Sequence, residues 1–149
     1  MTMNVQNVAD YFLTLVDDEA GDSLSNLKLQ KLVYYAQGFH LALADKPLFN
    51  EPIEAWEHGP VVPSLYRKFK QHGSAPIPRP ENGIDIDSYP ADVRDLLDEV
   101  YQVYGQYSAW KLRNMTHAEP PWIEAHNISP STVISHDSMR TYFRTLVNG

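Results

Sequence analysis

Apolar residues recur along most of this chain at the three-and-four spacing of amphipathic helices, and the places where the spacing fails mark its joints. After Asn4, a residue suited to capping, Val5, Val8, Phe12, Leu15 and Val16 predict a first helix that ends at the acidic turn DDEAGD. A second helix is expected from Ser23 or Ser25 through LSNLKLQKLVYYAQGFHLALA, with Leu29, Leu32, Val33, Ala36 and Leu43 on one stripe. Leu27, Tyr34, Tyr35 and Phe39 widen that stripe over most of the surface, so this segment, at about 24–43, is the expected central helix. Gly38 inside it costs about 1 kcal/mol relative to alanine, a cost that close approach of another element, or simple tolerance, would explain.

The pattern then shortens. LFNEPIEAW, punctuated by Pro52, predicts a short strand or small β-hairpin near 48–57, and Tyr66 and Phe69 begin a helix that ends by His72 and Gly73. SAPIPRPENGIDIDSYP, at about 74–90, is proline-rich without helical period and reads as a long surface connection. Helix resumes with Pro90 in the first turn and Val93, Leu96, Leu97, Val100 and Tyr104 inside, ending at Gly105. A shorter helix follows Ser108, a single helical turn is expected at Trp122 and Ile123, and Ser135 caps a last helix carrying Met139, Tyr142, Phe143 and Leu146. The expected fold is mainly α, a compact bundle of about six helices around the central one, in a single domain over residues 1–149.

At 149 residues and 43% hydrophobic, such a chain can bury one sizeable core. The absence of cysteine rules out disulfides and thiolate metal sites and fits a reducing cytoplasm. The opening residues carry acids and no basic leader, and no apolar run reaches membrane-spanning length, so a soluble, cytoplasmic protein without a membrane partner is expected. A net charge of −7 makes nucleic acid an improbable partner and suits either plain solubility or a basic protein.

Two stretches concentrate candidate chemistry. EAWEHGPVVPSLY places Trp56, His58, Gly59, Pro60 and Pro63 together, and THAEPPW repeats the ingredients with His117, Pro121 and Trp122. Residues before proline avoid the helical region, so Gly59 and Val62 are expected to be extended and Pro63 to open a helix. Glu119 and Pro120 likewise interrupt the preceding helix. Both stretches read as joints, each with a tryptophan anchor, packed near one another, with His58 and His117 bonding backbone groups that the prolines free.

The competing chemistry is weaker. His58, His117 and His126 with Glu54, Glu57, Glu119 and Glu124 supply ligand types for a metal-dependent hydrolase, but His-Glu-x-x-His and the deaminase cysteines are both missing. No Gly-x-Ser-x-Gly elbow or glycine-rich phosphate loop occurs, so neither an enzyme nor a cofactor is expected. Tyr66 to Lys70, YRKFK, reads as a solvated amphipathic helix rather than a nucleic-acid contact. Seven acids between Glu81 and Glu99 face Arg94 alone, and Asp92, Asp95, Asp98 and Glu99 form a candidate partner-binding acidic face; a solvated helix surface is the plainer account.

LSNLKLQKLVYYAQGFHLAL, then KPLFNEPIEAWEHGPVVPSLYRKFKQHG, then Tyr107 to Leu112 with THAEPPW, and the closing Met139 to Phe143 helix, together resemble the Panacea-domain family, also described as SocA-like antitoxins or GepA-type phage-associated proteins. The resemblance runs in order over nearly the whole chain and is least clear at 74–90. It implies a small helical antitoxin, encoded beside a toxin gene in a bacterium or prophage, that neutralises a cognate toxin protein by binding it. It also leaves open a proteolytic adaptor that delivers the toxin to a protease. Some antitoxins of this class carry an added DNA-binding segment, for which this chain offers no room.

Overall fold

The computed structural model describes residues 3–147. Asn4 caps α1 (Val5–Leu15) by accepting from the Asn7 amide while Asn7 returns a bond to the Asn4 amide, a closed capping box. Ser25 caps α2 (Asn26–Ala44). A hairpin of β1 (Glu54–Trp56) and β2 (Gly59–Val61), in register Glu54 to Val61 and Trp56 to Gly59, leads into α3 (Pro63–Phe69) with Pro63 at its first turn. After the connection come α4 (Ala91–Tyr104), α5 (Ala109–Thr116), α6 (Pro120–Ile128) and α7 (His136–Val147).

The fold is mainly helical with one small hairpin, and α2 is its axis, packed by α1, α3, α4, α5, β2 and most extensively α7. Leu29, Leu32, Val33, Tyr34, Tyr35 and Ala36 of α2 are fully buried, as a helix enclosed on all sides requires. Gly38 is where α7 comes closest: a Cβ there would overlap the ring of Phe143. Phe143 in turn meets Tyr34 and Phe39 edge-on at 5.5 and 4.9 Å. Close approach is therefore the reason for this glycine.

Several local expectations change. The helix at Trp122 is nine residues, not a single turn, because Pro120 and Pro121 occupy its first two positions, where a missing N–H is harmless. Pro90 lies at the N-cap of α4, one residue before the helix. Leu43 is 64% exposed and Leu146 44% exposed, so the ends of α2 and α7 run past the core. The strand lies at the C-terminal end of the 48–57 segment; Leu48, Phe49 and Ile53 are buried without regular structure. The 131–134 segment adds itself to the hairpin, with Ala55 donating to the Thr132 carbonyl and Ile134 to that of Ile53, both at 2.8 Å.

The proline-rich connection is mostly exposed but pinned at three points. Ile77 is buried and donates its N–H to the Leu24 carbonyl, the Arg79 guanidinium donates to that of Val16, and the Tyr89 hydroxyl donates to that of Asn7. Among the described residues no helix is long and apolar enough to cross a membrane.

Candidate functional site

The chain from 46 to 66, irregular except for the short hairpin and the start of α3, leaves backbone groups that those elements do not satisfy, and buried groups of this kind need partners. Polar side chains of α2 supply them. Gln37 accepts from the Leu48 amide and donates to the Phe49 carbonyl, each at 2.8 Å. Gln30 accepts from the Val62 amide at 2.9 Å, and Asn26 donates to the Tyr66 carbonyl at 3.1 Å. The Lys31 ammonium donates to the Pro60 carbonyl at 3.1 Å. The helix that carries the core therefore also clamps the joint, through four side chains that the apolar pattern passes over. The available signal was polarity within a helix apolar on most sides: such residues have to be buried, and hence bonded.

Gly59 lies at φ 110°, in the region reserved for glycine, rather than in the ordinary extended conformation expected of it. A side chain there would also strike Lys31 and the Thr116 hydroxyl. The glycine thus lets β2 lie directly on a buried cation. Lys31 is completely enclosed, and burial, with the charge of Arg113 acting in the same direction, pushes its ammonium down to about 7.

The second joint meets the first through one bond. The indole N–H of Trp122 in α6 donates to the Trp56 carbonyl at 2.8 Å, and Trp122 is 9% exposed. Trp56 is only partly buried, its indole N–H donating to Glu54 at 2.9 Å and its ring meeting Tyr66 edge-on at 5.1 Å. Of the two tryptophans, Trp122 is the buried anchor. Pro60, Pro63 and Pro121 are buried at the starts of β2, α3 and α6.

His58 does not act as expected, whereas the Glu57 backbone of the first joint does act on His117. His58 is exposed, and its Nδ1 accepts from the Arg113 guanidinium at 3.1 Å instead of bonding freed backbone. Arg113 lies over Trp110, 4.4 Å from the ring centre, and Trp110 is 55% exposed. His117 stacks on Trp122 at 4.0 Å, and His126 also stacks on it, at 4.4 Å. Burial and the Arg113 charge push His117 below its ordinary range, the Glu57 backbone pulling the other way, while its Nε2 is buried with no partner. The joint therefore carries an aromatic and cationic strip made of two groups, Trp110 with Arg113 and His58, and the His117–Trp122–His126 stack. Among the described residues no group of three or more His, Asp or Glu side chains is placed to hold a metal ion.

Glu119, at the N-cap of α6, is buried beneath this strip and accepts from the Tyr34 and Tyr35 hydroxyls, each at 2.9 Å. Burial pushes its carboxyl up to about 7 against the favourable bonds from the tyrosines. The same burial and the nearby carboxylate push both tyrosine hydroxyls far above their ordinary value. Through these two bonds the carboxylate ties the start of α6 to α2.

The acidic residues are elsewhere, on α4. Asp92, Asp95 and Glu99 share one side of the helix, whereas Asp98 faces α1 and accepts from the Tyr11 hydroxyl at 2.7 Å. Asp98 is thus the member of this acidic set that is also bonded to α1.

The profile of the family described as "Antitoxin SocA-like, Panacea domain" matches residues 29–123, from α2 into the start of α6, and so contains the joint with Gln30, Lys31, Gln37, Glu119 and Trp122. Antitoxin SocA of Caulobacter vibrioides (strain NA1000 / CB15N) is 36% identical over an alignment 109 positions long that covers 66% of this chain and 58% of the relative. The chain thus spans less than two thirds of the length of that protein. No solved structure matches it. A match that covers most of the chain and all of the clamped joint assigns it: the protein belongs to the Panacea-domain family of SocA-like antitoxins.

Proposed function

We propose that this protein is an antitoxin that neutralises a cognate toxin protein by binding it directly and covering its working surface. The family match over 29–123 carries the reading. The joint supports it in kind: its exposed strip combines tryptophan, arginine and histidine, the residue types that dominate binding energy at protein interfaces. Trp110, more than half exposed and held under Arg113, is the natural centre of that contact, with His58 and the edge of the His117–Trp122–His126 stack beside it. The buried clamps hold the strip in one shape before the partner arrives, which limits the ordering cost of association. On this reading the protein catalyses nothing, and the buried lysine and glutamate are structural.

The test is genetic and then physical. The gene beside this one is expressed alone and together with it. Growth arrest by the neighbour, relieved by co-expression and accompanied by a stable complex at unchanged toxin abundance, is the expected result. A harmless neighbour removes the reading. A toxin whose abundance falls on co-expression, and recovers in a protease-deficient host, replaces occlusion with proteolytic delivery.

A further inference from the structure

A second surface lies outside the joint. The C-terminal halves of α2 and α4 and the end of α7 enclose an open groove of about 370 Å³, walled by Phe39, Leu43, Leu96, Val103 and Leu146, with Glu99 on its rim. Leu43, Val103 and Leu146 are 64%, 41% and 44% exposed, an unusual concentration of large apolar side chains left in water on one side of a small acidic protein.

The charge around the groove is predominantly acidic, Lys46, beside Asp92 in the adjoining hollow, being the exception. Asp92, Asp95 and Glu99 lie on the Val103 side of α4, all exposed, and none forms an ion pair among the described residues. The cations of the three walls are engaged or directed elsewhere. Lys28 donates to the Gly105 carbonyl and Lys31 to that of Pro60; Arg140 and Arg144 both hold Asp45. Arg94 is half a turn out of phase with Val103 on α4, so it points away from the groove.

We infer that this groove is a docking site for a basic amphipathic helix of a partner protein, whose apolar stripe covers Leu43, Val103 and Leu146 while its lysines or arginines meet Asp92, Asp95 and Glu99. Three nearly filled walls leaving one open lane fit helix-in-groove recognition, in which apolar anchors supply affinity and charge supplies orientation. Complementarity excludes an acidic helix on the same grounds. The inference goes beyond the toxin-binding strip, shares no residue with it, and stands or falls independently of whether the chain neutralises a toxin.

The probe is a labelled leucine–lysine helical peptide of about 18 residues with leucines at helical spacing, compared with the same peptide carrying glutamate for lysine. Titration into the full-length protein, followed by anisotropy, is expected to saturate at least about tenfold more tightly for the lysine peptide, a margin within the reach of charge complementarity. Leu43→Ser and Val103→Ser are each expected to weaken it about fivefold or more, in line with loss of an interface anchor. Asp95→Asn with Glu99→Gln should weaken it and flatten its dependence on salt. Both apolar positions are exposed enough that the variants keep the wild-type melting temperature, so loss of binding is not loss of fold. Equal affinity for the two peptides, or binding indifferent to Val103→Ser, overturns the inference. Concentration-dependent self-association abolished by Leu43→Ser also overturns it, since a second copy would then be the occupant.

Discussion

The indole N–H of Trp122 donates to the main-chain carbonyl of Trp56 at 2.8 Å, so the two proline-rich joints of this protein are fastened by a bond between their tryptophans. The asymmetry matters: Trp122 gives a buried side chain, whereas Trp56 gives backbone and keeps its own ring partly in solvent. Trp122→Ala should therefore cost about 3–5 kcal/mol, as for a buried aromatic. Trp122→Phe, which keeps most of the packing but removes this bond, should cost about 0.5–1.5 kcal/mol. Trp56→Ala should cost less than Trp122→Ala. Urea unfolding midpoints at constant m-value provide the comparison.

At Gly38 the usual preference of helices is reversed. Alanine is worth about 1 kcal/mol over glycine in a helix interior, yet here its methyl group would enter the space of the Phe143 ring. Gly38→Ala should destabilise by about 1–3 kcal/mol, as an overpacked core does. Phe143→Leu should also destabilise on its own, but the double variant should be more stable than the sum of the two losses predicts. Strict additivity in thermal melts would mean that the two positions do not share that space.

The two buried ionisable groups should shape stability in opposite directions. Glu119 has its carboxyl raised from 4.5 to about 7, so the folded state binds the extra proton and stability falls as pH rises between those values. Lys31 has its ammonium lowered from 10.5 to about 7, so the unfolded chain binds the extra proton and stability rises from about 7 towards 10.5. Together they predict a dip in stability near neutrality. His117, lowered from 6.5, tilts the acid side the other way below that pH, and differences between variants remove its contribution. Relative to wild type, Glu119→Gln should gain roughly 2–3 kcal/mol between pH 5 and pH 8, and Lys31→Met should lose the alkaline rise. Denaturation midpoints from pH 5 to about pH 10.5 decide both; a Glu119→Gln difference independent of pH would show that the carboxyl is not raised.

The Gln30 clamp offers a local test. Gln30→Leu removes the acceptor for the Val62 amide and the donor to Asn26 while leaving an apolar side chain of similar length. A cost of about 1–3 kcal/mol is expected from the stranded groups. Hydrogen exchange should report it at the start of α3 and in β2 before it does so in α1.

On the proposed toxin-binding strip, Trp110→Ala and Arg113→Ala should leave the melting temperature within about 2–4 °C of wild type, because Trp110 is mostly exposed and the Arg113 contacts are at the surface. Each should weaken the toxin complex tenfold or more if the strip is the contact. Undiminished neutralisation by both variants would move the binding surface elsewhere.

How far the sequence reaches can be judged from particular residues. Periodicity located α1, α2, α4 and α7, and capping chemistry placed Asn4, Ser108 and Ser135 at helix starts while leaving Ser23 or Ser25 for α2, of which the fold uses Ser25. Proline geometry placed Pro63 at the first turn of α3 and ended the helix before Glu119, because those restrictions act within two residues. The same local reasoning gave α6 only a single turn, because its two leading prolines look like an interruption and work as a start. It also misread the partner of His58, since Arg113 is fifty-five positions away.

The sequence by itself thus determined which segments are helices, where they begin, that α2 is the centre, and which family the chain resembles, because each depends on local backbone energetics or on residues read in order. Only the tertiary structure decided that Asn26, Gln30, Lys31 and Gln37 turn inward to hold the joint, that Trp122 rather than Trp56 is its buried anchor, and that Leu43, Val103 and Leu146 gather around one groove. The physical reason is that a buried polar group takes whichever partner the packing brings within hydrogen-bond reach, and an apolar group is covered only if another element arrives. Neither outcome is encoded in spacing along the chain.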